Sequence, residues 1–244
     1  MIKGRVTSIE TMGLVDGPGI RAVVFFAGCG IRCVFCHNPE GWDRCGGEEV
    51  TANEIVDKIS RLKPYFDRSG GGVTFSGGEP LLQPEFLTEL LVKFRELGIH
   101  TVIDTAGVGH GDYERILSLV DLVLYDIKAT DADSYREITG AGIERTEAFM
   151  KALSESGVPT VVRQVVIPGV NDTDEYMLNL RRYVEENIPT AIDIELLPYH
   201  TLGSHKYREL GINEPLADTP QMSGEVCERF YEKYFSNTFN NLEK

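Results

Sequence analysis

Three cysteines lie within eight residues near the start of the chain, at Cys29, Cys33 and Cys36. Spacings of three and two intervening residues allow the thiolates of a single loop to bind one metal centre. A structural zinc site normally takes four protein ligands, and His37 is awkwardly placed to be the fourth. A four-iron cluster ordinarily takes four cysteines, so three would leave one iron open to an outside ligand. The pattern favours such a cluster over two alternatives, a zinc loop and buried thiols without a metal.

The other two cysteines, Cys45 and Cys227, stand apart, and the total of five is odd. A disulfide scaffold would pair its cysteines and spread them more evenly. Cys45 lies nine residues after Cys36 and is an available fourth thiolate, but the first three already explain a cluster. We therefore interpret Cys45 and Cys227 as free thiols, and we expect Trp42 to lie in the core.

Short segments rich in Val, Ile and Phe alternate with helical patterns along the chain. Several are continuously apolar, which is typical of strands covered on both faces. Repeated β–α units predict a parallel α/β sheet, although periodicity does not choose between an open sheet and a barrel. The predicted strands are residues 22–27, 72–75, 100–103, 122–125, 160–167 and 193–197.

Several helix ends carry recognisable signals. Thr51 and Glu54 form a capping-box pattern. Pro84 suits the first turn of an amphipathic helix that stops at Gly98. Two further helices are predicted before Gly157 and over residues 224–235.

Unusual polar groups follow the predicted strands at their carboxyl ends. In parallel α/β proteins ligands bind at this edge of the sheet, so scattered segments predict one site. The groups are Cys29 after the first strand, Gly77, Gly78 and Glu79 after the second, Asp104 and Thr105 after the third, Asp126 and Lys128 after the fourth, and residues 198–200 after the sixth.

The composition excludes several classes of protein. A net charge of −14 argues against a broad phosphate-binding face, so we expect no nucleic acid partner. The apolar stretch at 22–27 is too short to cross a bilayer, and residues 1–10 lack the apolar core of a signal peptide. There is no repeat or low-complexity linker. We therefore expect a soluble, cytoplasmic protein with no membrane partner, and one domain spanning residues 1–244.

The spacing of Cys29, Cys33 and Cys36, with the aromatic Phe35 before the last cysteine, resembles the signature of the radical S-adenosylmethionine (SAM) superfamily. The resemblance implies a 4Fe-4S cluster whose open iron binds the amino and carboxylate groups of SAM. An electron from the reduced cluster then cleaves the sulfonium, which gives methionine and a 5′-deoxyadenosyl radical.

Further segments resemble the activating enzymes of glycyl radical enzymes within that superfamily, and the resemblance spans nearly the full chain. It implies a partial TIM-type barrel of six β/α units, with helices outside. It also implies hydrogen abstraction from a glycine of a partner, with pyruvate formate-lyase as the expected partner, flavodoxin as the electron donor, anaerobic metabolism and a monomer. Residues 46–60 lack the extra cysteine sets of some activases, which favours the single-cluster type. The matching segments are residues 16–21, 36–38, 76–79, 104–105, 126–128 and 196–200.

The resemblance assigns roles that the residues alone leave open. Gly77 and Gly78 let backbone approach a ligand closely, and the resemblance places Glu79 at the methionyl amino group. Taken alone, Glu79 is better explained as serving a helix N-terminus after a tight turn. The resemblance likewise implies cofactor contacts from Phe35, His37, Asn38, Ile127, Lys128, Arg163 and His200, with His37 as a hydrogen-bonding group.

Asp104, Thr105 and Asp126 carry oxygen atoms suited to a hard cation. The resemblance implies a monovalent cation, Na⁺ or K⁺, completed by the Leu124 carbonyl. The alternative is two ordinary strand-end carboxylates with Lys128 as their counter-ion.

Asp16 begins a segment that local sequence explains as a simple turn. The resemblance instead implies that Asp16 contacts the glycine loop of the partner, and we include it with Lys128 and the three cysteines as catalytic candidates. Two competing hypotheses remain. The first is a radical SAM enzyme acting on RNA or a small molecule, against which residues 16–21 count; the second is a non-enzymatic zinc or electron-carrier protein.

Overall fold

The computed structural model describes residues 2–239, and its strands form one sheet of eight. Their bounds are Lys3–Gly13 (β1), Arg21–Phe26 (β2), Glu48–Thr51 (β3), Gly72–Gly77 (β4), His100–Thr105 (β5), Leu122–Asp126 (β6), Thr160–Val166 (β7) and Ala191–Pro198 (β8). The strands pair in the order β3-β1-β2-β4-β5-β6-β7-β8.

Strands β2, β4, β5, β6, β7 and β8 are parallel and neighbour one another in chain order. Sequential parallel strands connected by helices are the arrangement of a β/α barrel. Within residues 2–239, β8 pairs with β7 alone, so the barrel wall stays open. The expected α/β fold with six parallel strands is confirmed, and a partial barrel is consistent with it.

The α-helices of the described chain pack around this sheet. Their bounds are Ala52–Ile59 (α1), Lys63–Ser69 (α2), Pro84–Glu96 (α3), Tyr113–Leu117 (α4), Ala132–Thr139 (α5), Glu147–Ser156 (α6), Asp174–Asn187 (α7), Ser204–Leu210 (α8) and Gly224–Tyr234 (α9). The predicted capping box of α1 is present, since Thr51 and Glu54 each accept the other's backbone N–H. No helix between residues 2 and 239 has the length and apolar character needed to span a bilayer.

Strands β1 and β3 are absent from the sequence prediction. They add to the open side of β2 as antiparallel strands, with β1 between β2 and β3. Many of their side chains are exposed, and charged residues interrupt their apolar positions. The Val and Ile runs that marked the buried strands are therefore missing here, and β3 precedes α1 within residues 46–60.

Side chains of the sheet alternate between two faces. On the face toward the helices, Phe75 and Ile103 are fully buried in the main apolar core with Leu90 of α3. On the opposite face, Ser76 and Asp104 follow them at the carboxyl ends of the same strands and line a cavity. This alternation brings the polar strand ends together inside the open barrel.

Candidate active site at the carboxyl edge of the sheet

A cavity of about 230 Å³ opens between the cysteine loop and the carboxyl ends of the parallel strands. It is somewhat smaller than the roughly 300–1,000 Å³ of typical ligand pockets. Among the predicted site residues, those that line it are Cys29, Cys33, Phe35, Cys36, His37, Asn38, Gly77, Gly78, Asp104, Thr105, Asp126, Lys128 and Arg163. The predicted residues that do not line it are Asp16, Glu79, Leu124, Ile127 and His200.

The last turn of α5 holds the backbone of the cysteine loop. The N–H groups of Arg32 and Val34, on either side of Cys33, donate to the carbonyls of Thr139 and Ile138 at 2.8 and 2.9 Å. The last four carbonyls of an α-helix have no partner within the helix. The loop therefore satisfies two of these carbonyls, and in return α5 fixes the backbone around Cys33.

Side chains from distant elements hold the two ends of the loop. Arg145 donates to the carbonyl of Gly30 at 2.8 Å, and the hydroxyl of Tyr207 donates to the carbonyl of Cys36 at 2.9 Å. These contacts join positions 115 and 171 residues apart in the chain. The loop is thus positioned by the tertiary structure as well as by its own sequence.

Burial raises the pKa of each of the three thiols, to about 11 for Cys29 and about 12 for Cys33. Without a positive partner the thiols are therefore protonated near neutral pH. A bound metal reverses this, because coordination deprotonates a thiol. All five cysteines of the described chain are free, as predicted for Cys45, which is exposed, and Cys227, which is buried.

The donor set fits an iron–sulfur cluster better than a single ion. Over residues 2–239 no group of three or more His, Cys, Asp or Glu side chains is gathered closely enough to hold one metal ion. A zinc loop requires such a group, whereas the thiolates of a four-iron cluster bind different irons. Two buried side-chain oxygens near the cysteines also lack hydrogen-bond partners within the described part of the chain, the hydroxyl of Tyr135 and Oε2 of Glu40.

Two carboxylates and a lysine occupy the opposite wall of the cavity. The ammonium group of Lys128 contacts Asp126 at 2.7 Å and lies 5.4 Å from the ring centre of Phe35. Burial lowers the pKa of Lys128, but Asp126, Cys33 and Asp104 together outweigh that effect, and the net shift is upward. Burial, with repulsion from Asp126, raises the pKa of Asp104 to about 6, and Ser76 donates to this carboxyl group at 2.7 Å.

The proposed cation ligands are partly engaged by other groups. The hydroxyl of Thr105 donates to Glu79 at 2.6 Å and accepts the N–H of Gly107 at 2.9 Å. Leu124 is buried against Val102. The Lys128–Asp126 contact favours the alternative in which lysine is the counter-ion, and the cation remains a prediction.

Glu79 does not face the cavity. Its side chain is 1% exposed, and its carboxylate accepts hydrogen bonds from the hydroxyl of Thr105 and the N–H groups of Leu81 and Ala106. Burial raises the pKa of Glu79 to about 7. Three protein donors already bond this carboxylate, and the expected contact with the methionyl amino group stays a prediction.

Gly77 and Gly78 are required by backbone packing. A Cβ on Gly78 would lie 2.2 Å from the carbonyl oxygen of Gly28 and 2.7 Å from that of Gly41, and one on Gly77 would lie 2.4 Å from the nitrogen of Phe26. Gly77 also has φ +107°, a value that side chains disfavour. Both glycines line the cavity, but their immediate role is to let the cysteine loop cross β4 closely.

His37 and His200 form a stacked pair with ring centres 3.8 Å apart. Nε2 of His37 lies 2.8 Å from the backbone carbonyl of His200, a hydrogen bond that only a protonated Nε2 can donate. His37 lines the cavity, whereas His200 lies behind it, and the expected cofactor contact from His200 stays a prediction. Ile127 was expected at the cofactor as well, and its side chain instead packs in the main core. Asn38 lines the cavity and accepts from Lys206 at 2.8 Å.

Buried polar side chains hold the backbone of the segment that begins at Asp16. Arg21 is fully buried and donates to the hydroxyl of Thr74 at 2.6 Å, and that hydroxyl donates to the carbonyl of Asp16 at 2.7 Å. Burial lowers the pKa of Arg21 to about 10 and raises that of the Asp16 carboxyl group. Arg163 donates to the carbonyl of Val15 at 2.7 Å, which connects this segment to the cavity wall.

Six residues that line the cavity were not among the predicted site residues, and Ser76 and Trp42 are the two of these whose side chains carry hydrogen-bonding atoms. Ser76 faces inward two positions after Thr74 on β4, so strand alternation was the signal that identifies it. Trp42 was expected in the core, but it is half-buried at the cavity, where its side chain opposes the rise in the pKa of Cys36 that burial causes. Its neighbours Tyr207 and Arg32 pack against the ring, and no sequence signal pointed to this arrangement.

The Radical SAM superfamily model matches residues 23–181, a range that includes the cysteine loop and four of the six parallel strands in full. The protein named pyruvate formate-lyase-activating enzyme from Clostridium pasteurianum is 53% identical over 234 residues, which cover 96% of this chain and 98% of that protein. The chain belongs to the radical SAM superfamily, in its family of pyruvate formate-lyase-activating enzymes. As a radical SAM enzyme it takes a 4Fe-4S cluster and SAM as its cofactors.

Other members of this radical SAM family agree with the assignment. The pyruvate formate-lyase-activating enzyme of Staphylococcus aureus (strain USA300) is 39% identical over 239 residues, 95% of each chain. The crystal structure of a domain of pyruvate-formate lyase-activating enzyme from Bacteroides vulgatus ATCC 8482 aligns with a TM-score of 0.53 and 26% identity. That alignment covers 66% of this chain and 91% of that chain. The family resemblance found in the sequence is confirmed.

Proposed function

We propose that this radical SAM enzyme activates a glycyl radical enzyme, and that its partner is pyruvate formate-lyase. The observation that carries the proposal is a group of three free thiols, Cys29, Cys33 and Cys36, around one cavity at the carboxyl edge of the parallel strands. The 53% identity over 96% of the chain to a pyruvate formate-lyase-activating enzyme supports this choice of partner. Fold similarity alone would leave the substrate open.

The three thiolates would hold the cluster and leave one iron for SAM. When bound, these cofactors supply the electron that cleaves the sulfonium and the radical that takes hydrogen from the partner glycine. The residues of the chain position and enclose this chemistry. Phe35, His37 and Asn38 line the same side of the cavity as the cysteines. They would limit the access of water to a site where a radical reacts with any hydrogen within reach.

Charged groups on the other wall would orient SAM. Lys128 and Arg163 can pair with its carboxylate, and Asp104 and Asp126 can accept hydrogen bonds from its amino group. Two carboxylates facing two cations give a nearly neutral wall in the absence of ligand. A monovalent cation at Asp104 and Asp126 would change this balance, and we retain it as part of the proposal.

The loop before β2 is the proposed contact for the glycine segment of the partner. Leu14 and Val15 are 73% and 80% exposed, which is unusual for large apolar side chains and suits a protein contact. Asp16 follows them and is held by Thr74 through its backbone. Entry of a partner loop would require a local rearrangement of one or both proteins.

We further propose that residues 1–244 act as one domain, since the strands of the described chain share a single sheet. A monomer in the cytoplasm, reduced by a flavodoxin, completes the proposal.

The test is anaerobic reconstitution with iron and sulfide, followed by reduction with dithionite in the presence of SAM. We expect 5′-deoxyadenosine to form, and a glycyl radical doublet to appear in the electron paramagnetic resonance (EPR) spectrum when pyruvate formate-lyase is added. A Cys33→Ala variant is the control and should give neither product. Deoxyadenosine without a doublet would favour a radical SAM enzyme acting on RNA or a small molecule. Colourless protein containing one zinc and no acid-labile sulfide would instead support a non-enzymatic protein.

A further inference from the structure

Tyr135 lies on the part of α5 that docks on the cysteine loop. It precedes Ile138 and Thr139 by three and four residues, and residues at these spacings share one helix face. The carbonyls of Ile138 and Thr139 accept the N–H groups on either side of Cys33. The side chain of Tyr135 is 2% exposed and is buried in the same apolar cluster as Cys33 and Phe35.

The hydroxyl of Tyr135 is buried and has no hydrogen-bond partner among residues 2–239. Leaving a buried hydroxyl without a partner costs about 1–3 kcal/mol. A phenylalanine would fill nearly the same volume without that cost. Two other tyrosines near the loop differ, since Tyr199 donates to the carbonyl of Leu216 and Tyr207 donates to that of Cys36. Tyr135 therefore carries a buried donor whose acceptor is not supplied by the described protein.

We propose that the hydroxyl of Tyr135 donates a hydrogen bond to a sulfur of the iron–sulfur cluster at Cys33 and raises the reduction potential of the cluster. Hydrogen bonds to the sulfurs are among the factors that set the potential of such a cluster. Reduction adds one electron from the external donor, and the added negative charge strengthens the hydrogen bond. In a buried site this stabilisation is larger than in water. The donor therefore favours the reduced cluster.

The inference rests on the cluster assigned in the proposed function, and its test uses a readout other than enzyme activity. The reconstituted protein is titrated electrochemically without SAM, and the reduced cluster is measured by EPR. We expect Tyr135→Phe to lower the fraction reduced at a fixed potential by roughly threefold or more, as loss of a hydrogen bond to a charged group implies. Tyr199→Phe is the matched control. It removes a hydroxyl from the same apolar cluster, but that hydroxyl already donates to a backbone carbonyl. Its titration should match that of the unaltered protein.

A second variant, Tyr135→His, separates hydrogen bonding from packing because it keeps a donor. It should titrate closer to the unaltered protein than Tyr135→Phe does. Pulsed EPR after exchange into D₂O should also show one exchangeable coupling to the reduced cluster that Tyr135→Phe lacks. If Tyr135→Phe titrates like the unaltered protein, or if neither variant assembles a cluster, the inference is overturned in favour of a packing role. If the unaltered protein itself forms no cluster, the proposed function fails instead.

Discussion

The guanidinium of Arg163 donates a hydrogen bond of 2.7 Å to the backbone carbonyl of Val15, 148 residues earlier in the chain. The same group contacts Glu195 at 2.8 Å and lies 3.8 Å from Asp104 in the cavity wall. Arg163 thus joins the exposed loop before β2 to the carboxylates at the carboxyl edge. The proposed partner contact and the proposed cofactor wall share this side chain.

Replacing Arg163 should therefore affect both regions. We expect Arg163→Gln to form the glycyl radical at least about tenfold more slowly, because the variant loses the tether to Val15 and a positive charge beside Asp104. Cluster content, measured as iron and sulfide, should stay native, because within residues 2–239 the polar contacts of the Arg163 side chain are to Val15, Glu195 and Asp104 and not to the cysteine loop. Arg163→Lys keeps the positive charge without the forked geometry of the guanidinium. Its rate of glycyl radical formation should lie between those of the unaltered protein and Arg163→Gln. Radical formation at the native rate in Arg163→Gln would contradict the assignment.

A second prediction follows from the assignment of three cysteines as the cluster ligands. Replacing Cys29, Cys33 or Cys36 with Ala should abolish both cluster assembly and SAM cleavage, measured by iron and sulfide analysis and by 5′-deoxyadenosine formation. Cys45→Ala is the matched control, because its thiol is exposed and lies outside the cavity. It should keep a native cluster. Loss of the cluster in Cys45→Ala as complete as in Cys33→Ala would mean that the ligand assignment is wrong.

Glu79 should make the stability of the metal-free protein depend on pH. Burial raises its pKa from 4.5 to about 7, so the folded protein binds this proton more tightly than the unfolded chain does. The resulting stabilisation is complete below about pH 4.5 and is lost as the pH rises through about 7. We expect this group to lower the free energy of unfolding by on the order of 3 kcal/mol across that range.

The measurement is urea unfolding of the metal-free protein and of Glu79→Gln between about pH 5 and pH 8. The glutamine stays neutral and nearly isosteric, so its free energy of unfolding should lack the fall attributed to Glu79. Burial raises the pKa of Asp104 to about 6, so Asp104 also lowers the free energy of unfolding as the pH rises. Its contribution is similar in both proteins and cancels when their free energies of unfolding are subtracted. Parallel curves for the two proteins would rule out a raised pKa at Glu79.

Gly78 should be intolerant of any side chain. A methyl group in Gly78→Ala would meet the carbonyl oxygens of Gly28 and Gly41, which are backbone atoms on both sides of the cysteine motif. We expect soluble protein that assembles much less cluster, measured by iron content and visible absorbance. Gly224→Ala is the control, because among residues 2–239 no atom outside its own helix turn and chain neighbours lies within 4 Å of the added methyl group, and it should assemble a native cluster. Native cluster content in Gly78→Ala would show that the loop can move away from β4.

The cysteine spacing and the six buried strands could be predicted from sequence because both are local patterns. Cys29, Cys33 and Cys36 lie within one loop, and their separation hardly depends on the rest of the fold. The parallel strands are runs of apolar residues whose order along the chain is also their order in the sheet. The polar residues at their carboxyl ends were therefore expected to meet at one edge, as Asp104 and Asp126 do.

The direction in which a side chain points at that edge could not be predicted in the same way. Glu79 turns away from the cavity because Thr105 and Ala106, from the next strand and its loop, supply donors for its carboxylate. His200 stands behind His37 because the two rings stack. Motif position alone contains no information about these competing partners.

The chemistry of this protein is thus a property of its sequence, since the three closely spaced thiols specify an incomplete metal site. The reduction potential that we propose for its cluster depends on the tertiary structure. A helix about one hundred residues later in the chain places Tyr135 in the same buried cluster as Cys33, and only packing brings the two residues into that cluster. Hydrogen bonds and burial depend on such distant neighbours, whereas ligand spacing depends on adjacent residues.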